Sequence, residues 1–153
     1  MILLDVNVLV YAHRNDVLRH VEYQRWLAGV IASERAFAVA DIVFAGFVRI
    51  VTHPRIFHLP TSPDSALAFV EAIRERPNFV SLNPGIRHWD IFTRLCRSSN
   101  ARGNLVPDAY LAALAIESGS EWVTNDRGYA RFPGLRWRDP LADKCGQIAI
   151  AAG

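Results

Sequence analysis

The sequence predicts a three-layer α/β/α sandwich around a central parallel sheet. Short apolar runs, typical of buried strands, alternate with longer segments whose apolar residues recur at helical spacing. Because helices separate the strands, we expect the strands to pair in parallel through right-handed crossovers, with helices on both faces. With 153 residues, 51% of them hydrophobic, the chain can bury one sizeable core. We therefore predict a single domain over residues 1–141 and a C-terminal tail, 142–153, whose order the sequence leaves open.

The first half of the chain contributes two strands and four helical segments. An apolar run that stops at Asp5 is typical of a strand buried on both faces. Asp41 has the chemistry of a helix N-cap after the second strand, and His53 ends that helix because a residue before proline resists helical geometry. The predicted elements are a strand ending at Leu4, a helical turn at 8–12, a helix at 17–32, a strand at 36–40, and helices at 42–52 and 63–75.

The second half adds three strands and further helices. Pro107 in a first turn and Gly119 at the end delimit one helix. Trp89, Phe92 and Leu95 form an apolar stripe on another, and we expect the four tryptophans in the core and not stacked on bases. The predicted elements are strands at 79–82, 122–124 and 135–138, and helices at 86–98, 107–118 and 127–132.

The basic residues are almost all arginine. Sixteen arginines stand against a single lysine, Lys144, and the pI is about 8.8. Arginine suits bidentate contacts with nucleic-acid phosphates, although genome base composition could favour arginine equally.

Cys96 and Cys145 lack metal-ligand spacing and fit a reducing compartment. The sequence contains neither a signal-peptide pattern nor an apolar run long enough for a membrane, so we expect a cytoplasmic location.

Three carboxylates fall where a parallel sheet brings strand ends and helix starts together. Asp5 ends the first strand, Asp126 follows the strand at 122–124, and Asp108 opens the helix before that strand. We expect all three at one crevice outside the carboxyl ends of the strands. Each has an ordinary alternative: Asp5 a turn residue, and Asp108 a first-turn acid favoured by the helix dipole. Together they are harder to explain as turns and caps.

Clustered carboxylates repel one another unless a cation neutralises them. Their hard oxygen atoms, with no histidine or cysteine in the set, favour Mg²⁺ or Mn²⁺ over Zn²⁺. Such an ion lowers the pKa of water and shields a phosphodiester. The set therefore predicts metal-assisted hydrolysis of phosphodiester bonds.

The motifs that carry these residues also form a spaced set. They are Leu4-Asp5-Val6-Asn7, residues 47–57, residues 104–108 followed by 112–117, Val123-Thr124-Asn125-Asp126, and residues 132–137. As a set they resemble PIN-domain ribonucleases, and in particular the VapC-type toxins of bacterial toxin–antitoxin pairs. The resemblance extends to about Leu141 and implies a PIN-like fold and a Mg²⁺-dependent endoribonuclease acting on structured RNA such as transfer or ribosomal RNA. It further implies a homodimer that a cognate VapB-type antitoxin silences.

By this resemblance, Asp5, Asp108 and Asp126 are the catalytic and metal-binding residues. Asn7 and Thr124 match supporting positions that orient carboxylates or water, although a helix N-cap and ordinary strand preference explain them as well. One departure is clear: the family usually has a glutamate where this chain has Gly46. Either the three aspartates suffice, or the site binds one metal ion where others hold two.

Several arginines fall near the predicted carboxyl edge or its loops, where they could hold RNA phosphates or could be ordinary solvated side chains. They are Arg14, Arg49, Arg55, Arg102 and Arg127.

Three alternatives to a PIN-domain ribonuclease fit the sequence less well. A receiver or haloacid-dehalogenase domain needs an active-site lysine, and the one lysine is in the tail. A dinucleotide-binding module needs a glycine-rich turn after the first strand, which this chain lacks. The alternative that stays open is a catalytically impaired PIN-like module that binds RNA or a partner. The retained aspartates argue against it, because buried carboxylates without a partner are costly.

Overall fold

Five parallel strands form the central sheet of the computed structural model, which describes residues 1–142. The strands lie in the order β3-β2-β1-β4-β5. Their bounds are β1 Ile2–Leu4, β2 Phe37–Ala40, β3 Phe79–Leu82, β4 Glu121–Val123 and β5 Trp137–Arg138. Every pairing in the sheet is parallel, as the sequence predicts.

Six α-helices connect the strands. They are α1 Val6–His13, α2 His20–Ala32, α3 Asp41–Val51, α4 Pro63–Arg74, α5 His88–Ser99 and α6 Leu105–Ser118. A 3₁₀ helix at Arg127–Arg131 joins β4 to β5. Helix α1 packs against α2 and α3, α3 packs against α4, and α5 packs against α6. Right-handed crossovers place the first four helices on one face of the sheet and the last two on the other. The predicted α/β/α sandwich is therefore confirmed.

The order of the strands fixes where a ligand crevice opens. The chain runs from β1 outward to β2 and β3, then crosses back to β4 on the other side of β1. In the register between these neighbours, Leu4 lies beside Val123, so the residues that follow them emerge together. Because β1 and β4 connect in opposite directions, their carboxyl ends form the switch point of the sheet.

Two local predictions are wrong. Asp41 is the first residue of α3 and not its N-cap; Ala40 holds the cap position, and the Asp41 carboxylate pairs with Arg74 at 2.6 Å. Trp89 is 64% exposed because the buried face of α5 is formed by His88, Ile91 and Leu95. The sequence places Trp89 on an apolar stripe but does not reveal where that stripe stops being covered.

Two further predictions concern the ends and surroundings of the chain. Apart from its first residue, the tail at 142–153 lies outside the described residues, and the domain extent of 1–141 stays a prediction. Across residues 1–142, no helix combines the length and apolar character that a membrane span requires.

Candidate functional site

Asp5 joins the end of β1 to the start of α1. Its amide donates to the Val123 carbonyl at 3.0 Å, which extends the pairing with β4 by one residue. Its Oδ1 accepts the Val6 amide at 2.6 Å and so caps α1. The side chain is only 4% exposed. The local fold thus holds a carboxylate in the interior, directly below the switch point of the sheet.

Thr124 and Asn7 complete the hydrogen bonds of this carboxylate. The Thr124 hydroxyl donates to Asp5 Oδ2 at 2.6 Å, and Asn7 Nδ2 donates to the same oxygen at 3.0 Å. The hydroxyl also accepts Asn7 Nδ2 at 2.9 Å and the Asp126 amide at 3.0 Å. A hydroxyl has one proton and two lone pairs, so that of Thr124 is fully used. The predicted positions of Asn7 and Thr124 beside Asp5 agree with this network.

Asp126 follows β4, the strand that pairs with β1, and Asp108 lies near the start of α6. Asp126 is exposed and caps the 3₁₀ helix, where its Oδ1 accepts the Gly128 amide at 2.7 Å. Asp108 lies in the first turn of α6, and its Oδ1 accepts the Tyr129 hydroxyl at 3.3 Å. Tyr129 is 2% exposed, and sequence reasoning missed it. The one available signal was a tyrosine three residues after Asp126, which lacks a distinguishing pattern.

The three carboxylates line one cleft of about 710 Å³, together with Asn7 and Tyr129. Its walls are mainly apolar and come from α3, α5 and α6, with Ile42, Ile50, Phe92 and Leu111 among them. Gly46 also lines the cleft, and a Cβ there would meet only Val6 Cγ2, at 3.7 Å. The position that lacks the family's glutamate therefore opens into the acidic cleft.

Two other acids, Asp41 and Glu117, do not take the place of the missing glutamate. Asp41 pairs with Arg74. Glu117 accepts the backbone amides of Gly85 and Arg87 at 2.8 and 2.9 Å, which fixes the loop before α5. Neither residue lines the cleft.

The surroundings of Asp5 and Asp108 oppose the ionisation of these two carboxylates. Burial raises the pKa of Asp5 to about 6; the hydrogen bonds from Thr124 and Val6 limit the rise, and repulsion from Asp108 and Asp126 adds to it. Burial also raises the pKa of Asp108, with a contribution from Asp126. The pKa of Tyr129 lies far above its usual value because of burial and the nearby carboxylates, so this phenol is a permanent hydrogen-bond donor. A cation in the cleft would relieve this repulsion.

The donor set fits a hard divalent cation loosely held. Within residues 1–142, no three side chains among His, Cys, Asp and Glu lie together in a group that could hold an ion. Mg²⁺ is usually bound through one or two carboxylates and keeps several waters, so it does not need such a cage. Asp5 Oδ1 accepts one hydrogen bond and retains a free lone pair for a ligand bond. The residues therefore fit Mg²⁺ better than Zn²⁺, which favours cysteine and histidine ligands.

The predicted arginines separate into three groups. Arg49 lines the cleft. Arg55, Arg102 and Arg127 are exposed outside its lining, and their side chains form no hydrogen bond with another residue in the range 1–142.

Arg14 is a correction to the predicted RNA-binding set. It is 8% exposed, pairs with Asp16 through two N–H groups, and donates to the Leu59 carbonyl at 2.9 Å and to Thr61 Oγ1 at 3.1 Å. Its guanidinium also lies 4.1 Å from the centre of the Phe57 ring. With these contacts Arg14 holds the loop after α3 and is not available to phosphates.

Comparisons with known proteins agree with this geometry. The family profile described as PIN domain matches residues 2–135. VapC ribonuclease Mb2897 of Mycobacterium bovis is 45% identical over 141 residues, which cover 92% of this chain and 96% of that protein. Ribonuclease VapC31 of Mycobacterium tuberculosis is 42% identical, with 92% of this chain and 100% of the relative covered. Among solved structures, VapBC2 from Rickettsia felis, bound to a DNA fragment from its promoter, has a TM-score of 0.66 at 19% identity and covers 91% of this chain and 98% of its own.

The raised pKa of Asp5 predicts a pH-dependent stability. In metal-free buffer, wild type should lose about 2 kcal/mol of unfolding free energy relative to Asp5→Asn as the pH rises from about 4 to about 7. The sign follows because folded Asp5 keeps its proton up to about pH 6, whereas unfolded Asp5 releases it near 3.8. Urea unfolding at a series of pH values measures this, with Asp90→Asn, an exposed carboxylate on α5, as the control. Parallel curves for wild type and Asp5→Asn would contradict the prediction.

Proposed function

Since the chain belongs to the PIN-domain family, with VapC ribonucleases among its relatives, we propose that it is a Mg²⁺-dependent endoribonuclease and the toxin of a toxin–antitoxin pair. The observation that carries the proposal is the meeting of Asp5, Asp108 and Asp126 in one cleft at the switch point of the sheet. Asp5 follows β1, Asp108 lies in the first turn of α6 and Asp126 follows β4, so the arrangement depends on the whole topology.

Each carboxylate has a separate support. Thr124 and Asn7 fix Asp5 Oδ2, which leaves Oδ1 oriented toward the start of α1. Tyr129 donates to Asp108, and the turn into the 3₁₀ helix holds Asp126. Asp5, Asp108 and Asp126 would hold the ion. When bound, Mg²⁺ or Mn²⁺ would lower the pKa of water and shield the charge of the scissile phosphodiester.

The walls of the cleft favour RNA in which a nucleotide is turned outward. Phe92 and Tyr110 line the cleft together with the carboxylates, and Arg49 supplies a positive charge. Structured RNA, such as transfer or ribosomal RNA, presents such nucleotides in its loops. An enzyme that acts on these RNAs works in the cytoplasm.

The partner in this proposal is a VapB-type antitoxin. The curated relatives are VapC ribonucleases, and the Rickettsia felis neighbour is a VapBC complex. The apolar walls and acidic floor of the cleft suit a partner segment that combines apolar and basic side chains. Exposed apolar side chains beside or beyond the cleft, including Ile42 and Leu67, offer surface for a homodimer.

Cleavage of RNA tests the proposal. Purified wild type with Mg²⁺ or Mn²⁺ should convert total cellular RNA into discrete fragments, visible on a denaturing gel. Addition of EDTA should abolish them, and Asp108→Asn should slow their formation by roughly a hundredfold or more, because it removes a carboxylate from the site. Asp90→Asn, exposed on α5, is the matched control and should cleave like wild type. Intact RNA with wild type, together with no metal binding by calorimetry, would favour the impaired binding module.

The absent glutamate gives a gain-of-function prediction. Gly46→Glu should lower the Mg²⁺ concentration needed for half-maximal cleavage by roughly tenfold, because an added carboxylate raises the affinity of an oxygen site for a divalent ion. The backbone admits the side chain, since a Cβ at position 46 makes only an ordinary contact with Val6. Gly46→Gln has the same shape without the charge and should leave the Mg²⁺ requirement unchanged. Equal Mg²⁺ requirements for the two variants would show that position 46 does not face the ion.

A further inference from the structure

A second cleft, which we call the arginine cleft, lies at the opposite edge of the sheet. Its volume is about 820 Å³, and none of its lining residues is shared with the acidic cleft. Its floor is formed by the amino ends of strands, with Ile2 of β1 and Glu121 of β4, and one wall is formed by Trp26 and Gly29 of α2. A pocket of this size can hold a nucleotide.

The lining of this cleft is strongly basic. Arg25, Arg35, Arg136 and Arg138 line it, against a single acid, Glu121. Glu121 accepts from Arg138 Nε at 3.2 Å and so offsets one of the four charges. Arg136 uses one N–H on the Gly119 carbonyl, whereas Arg25 and Arg35 form no side-chain hydrogen bond with any residue between 1 and 142. At least two guanidinium groups are therefore free to bind an anion.

The walls that carry these arginines are held in place. Asn78 Nδ2 donates to the carbonyls of Val30, Ser33 and Arg35 at 3.1, 2.8 and 3.1 Å, which fixes the turn from α2 into β2. Trp26 is half-buried against the core, and the Arg138 guanidinium lies 5.8 Å from its ring centre. The cleft thus combines a fixed aromatic side chain with cations, as do sites that bind single-stranded nucleic acid.

The two clefts differ in charge in a way that suits an RNA enzyme. The acidic cleft has three aspartates and a single arginine, Arg49. Without a bound metal ion, this cleft therefore repels the phosphates of RNA. Along β1, Ile2 and Asp5 are separated by about 10 Å, yet the clefts open at opposite edges of the sheet. A folded RNA is large enough to contact both edges of the sheet at once, whereas a few nucleotides bound in the acidic cleft contact only one.

We propose that the arginine cleft binds phosphates of the RNA substrate at a distance from the bond that is cut. The inference rests on the proposed function, since it takes RNA as the ligand. The cleft supplies the electrostatic attraction that the acidic cleft lacks, and it anchors folded RNA while another part of the molecule enters the acidic cleft.

The first test is RNA binding without catalysis. Fluorescence anisotropy in EDTA measures the affinity for a labelled 40-nucleotide RNA hairpin. The double variant Arg25→Gln/Arg35→Gln should bind roughly tenfold more weakly, and its slope of log affinity against log salt should be smaller by about 1.5, as expected for two lost phosphate contacts. The matched control is Arg94→Gln/Arg97→Gln, two exposed arginines of α5 outside both clefts, which should change affinity less than twofold.

A second variant reports on the cleft without removing any arginine. A Cβ at Gly29 would have no neighbour within 4 Å, so a side chain there enters open space in the cleft. Gly29→Glu should weaken hairpin binding by roughly fivefold or more, because it adds a negative charge beside the arginines, whereas Gly29→Gln should weaken it much less. Both variants should fold like wild type, since neither substitution meets a neighbouring atom.

The outcomes separate this inference from the proposed function. Equal hairpin affinity for the Arg25/Arg35 and Arg94/Arg97 variants would overturn the inference, even if the enzyme cleaves RNA. Displacement of the hairpin by equimolar ATP would also overturn it, because the cleft would then be a site for a free nucleotide. Loss of binding only in the cleft variants would support it, even if wild type cleaves no RNA.

Discussion

The hydrogen bond from the Thr124 hydroxyl to Asp5 is the contact on which the rest of the site depends. It joins the end of β4 to the end of β1 at 2.6 Å, across the switch point of the sheet. Asp5 is buried there, and burial alone would favour its neutral form. Three hydrogen bonds, from Thr124, Asn7 and the Val6 amide, compensate in part for the lost water. The same hydroxyl accepts the Asp126 amide, so a single side chain positions two of the three carboxylates.

The sequence contained most of the fold because the governing patterns are local. Apolar runs of three to five residues separated by helical stretches leave little choice except a parallel sheet, and a carboxylate after a buried strand must lie at its carboxyl edge. These patterns predict that Asp5, Asp108 and Asp126 lie together, and all three line one cleft.

What the sequence did not reveal depends on contacts between distant segments. Tyr129 donates to Asp108 only because the 3₁₀ helix folds back toward α6, and no spacing signals that approach. Arg14 lies near the carboxyl edge, yet Phe57 and Thr61 enclose it in a loop whose path has no periodic pattern. Trp89 has an apolar position on α5, but it is exposed because His88, Ile91 and Leu95 form the buried face of that helix.

Basic and acidic side chains gather at opposite edges of the sheet. The sequence predicts phosphate-binding arginines at the carboxyl edge. In the structure, four other arginines surround a cleft at the amino edge. The carboxyl edge stays acidic, with Arg49 alone among the arginines in its cleft. A parallel sheet separates its two edges by the length of its strands, so one fold can hold an acidic centre and a basic surface without mutual neutralisation.

We propose that the acidic cleft holds a divalent cation between Asp5, Asp108 and Asp126. The most direct measurement is anomalous scattering from crystals soaked in Mn²⁺. We expect a peak in the acidic cleft within coordination distance of at least one of these carboxylates, absent from crystals of the Asp5→Asn variant. A clear map without a peak in that cleft, or with peaks only elsewhere on the protein, would contradict it.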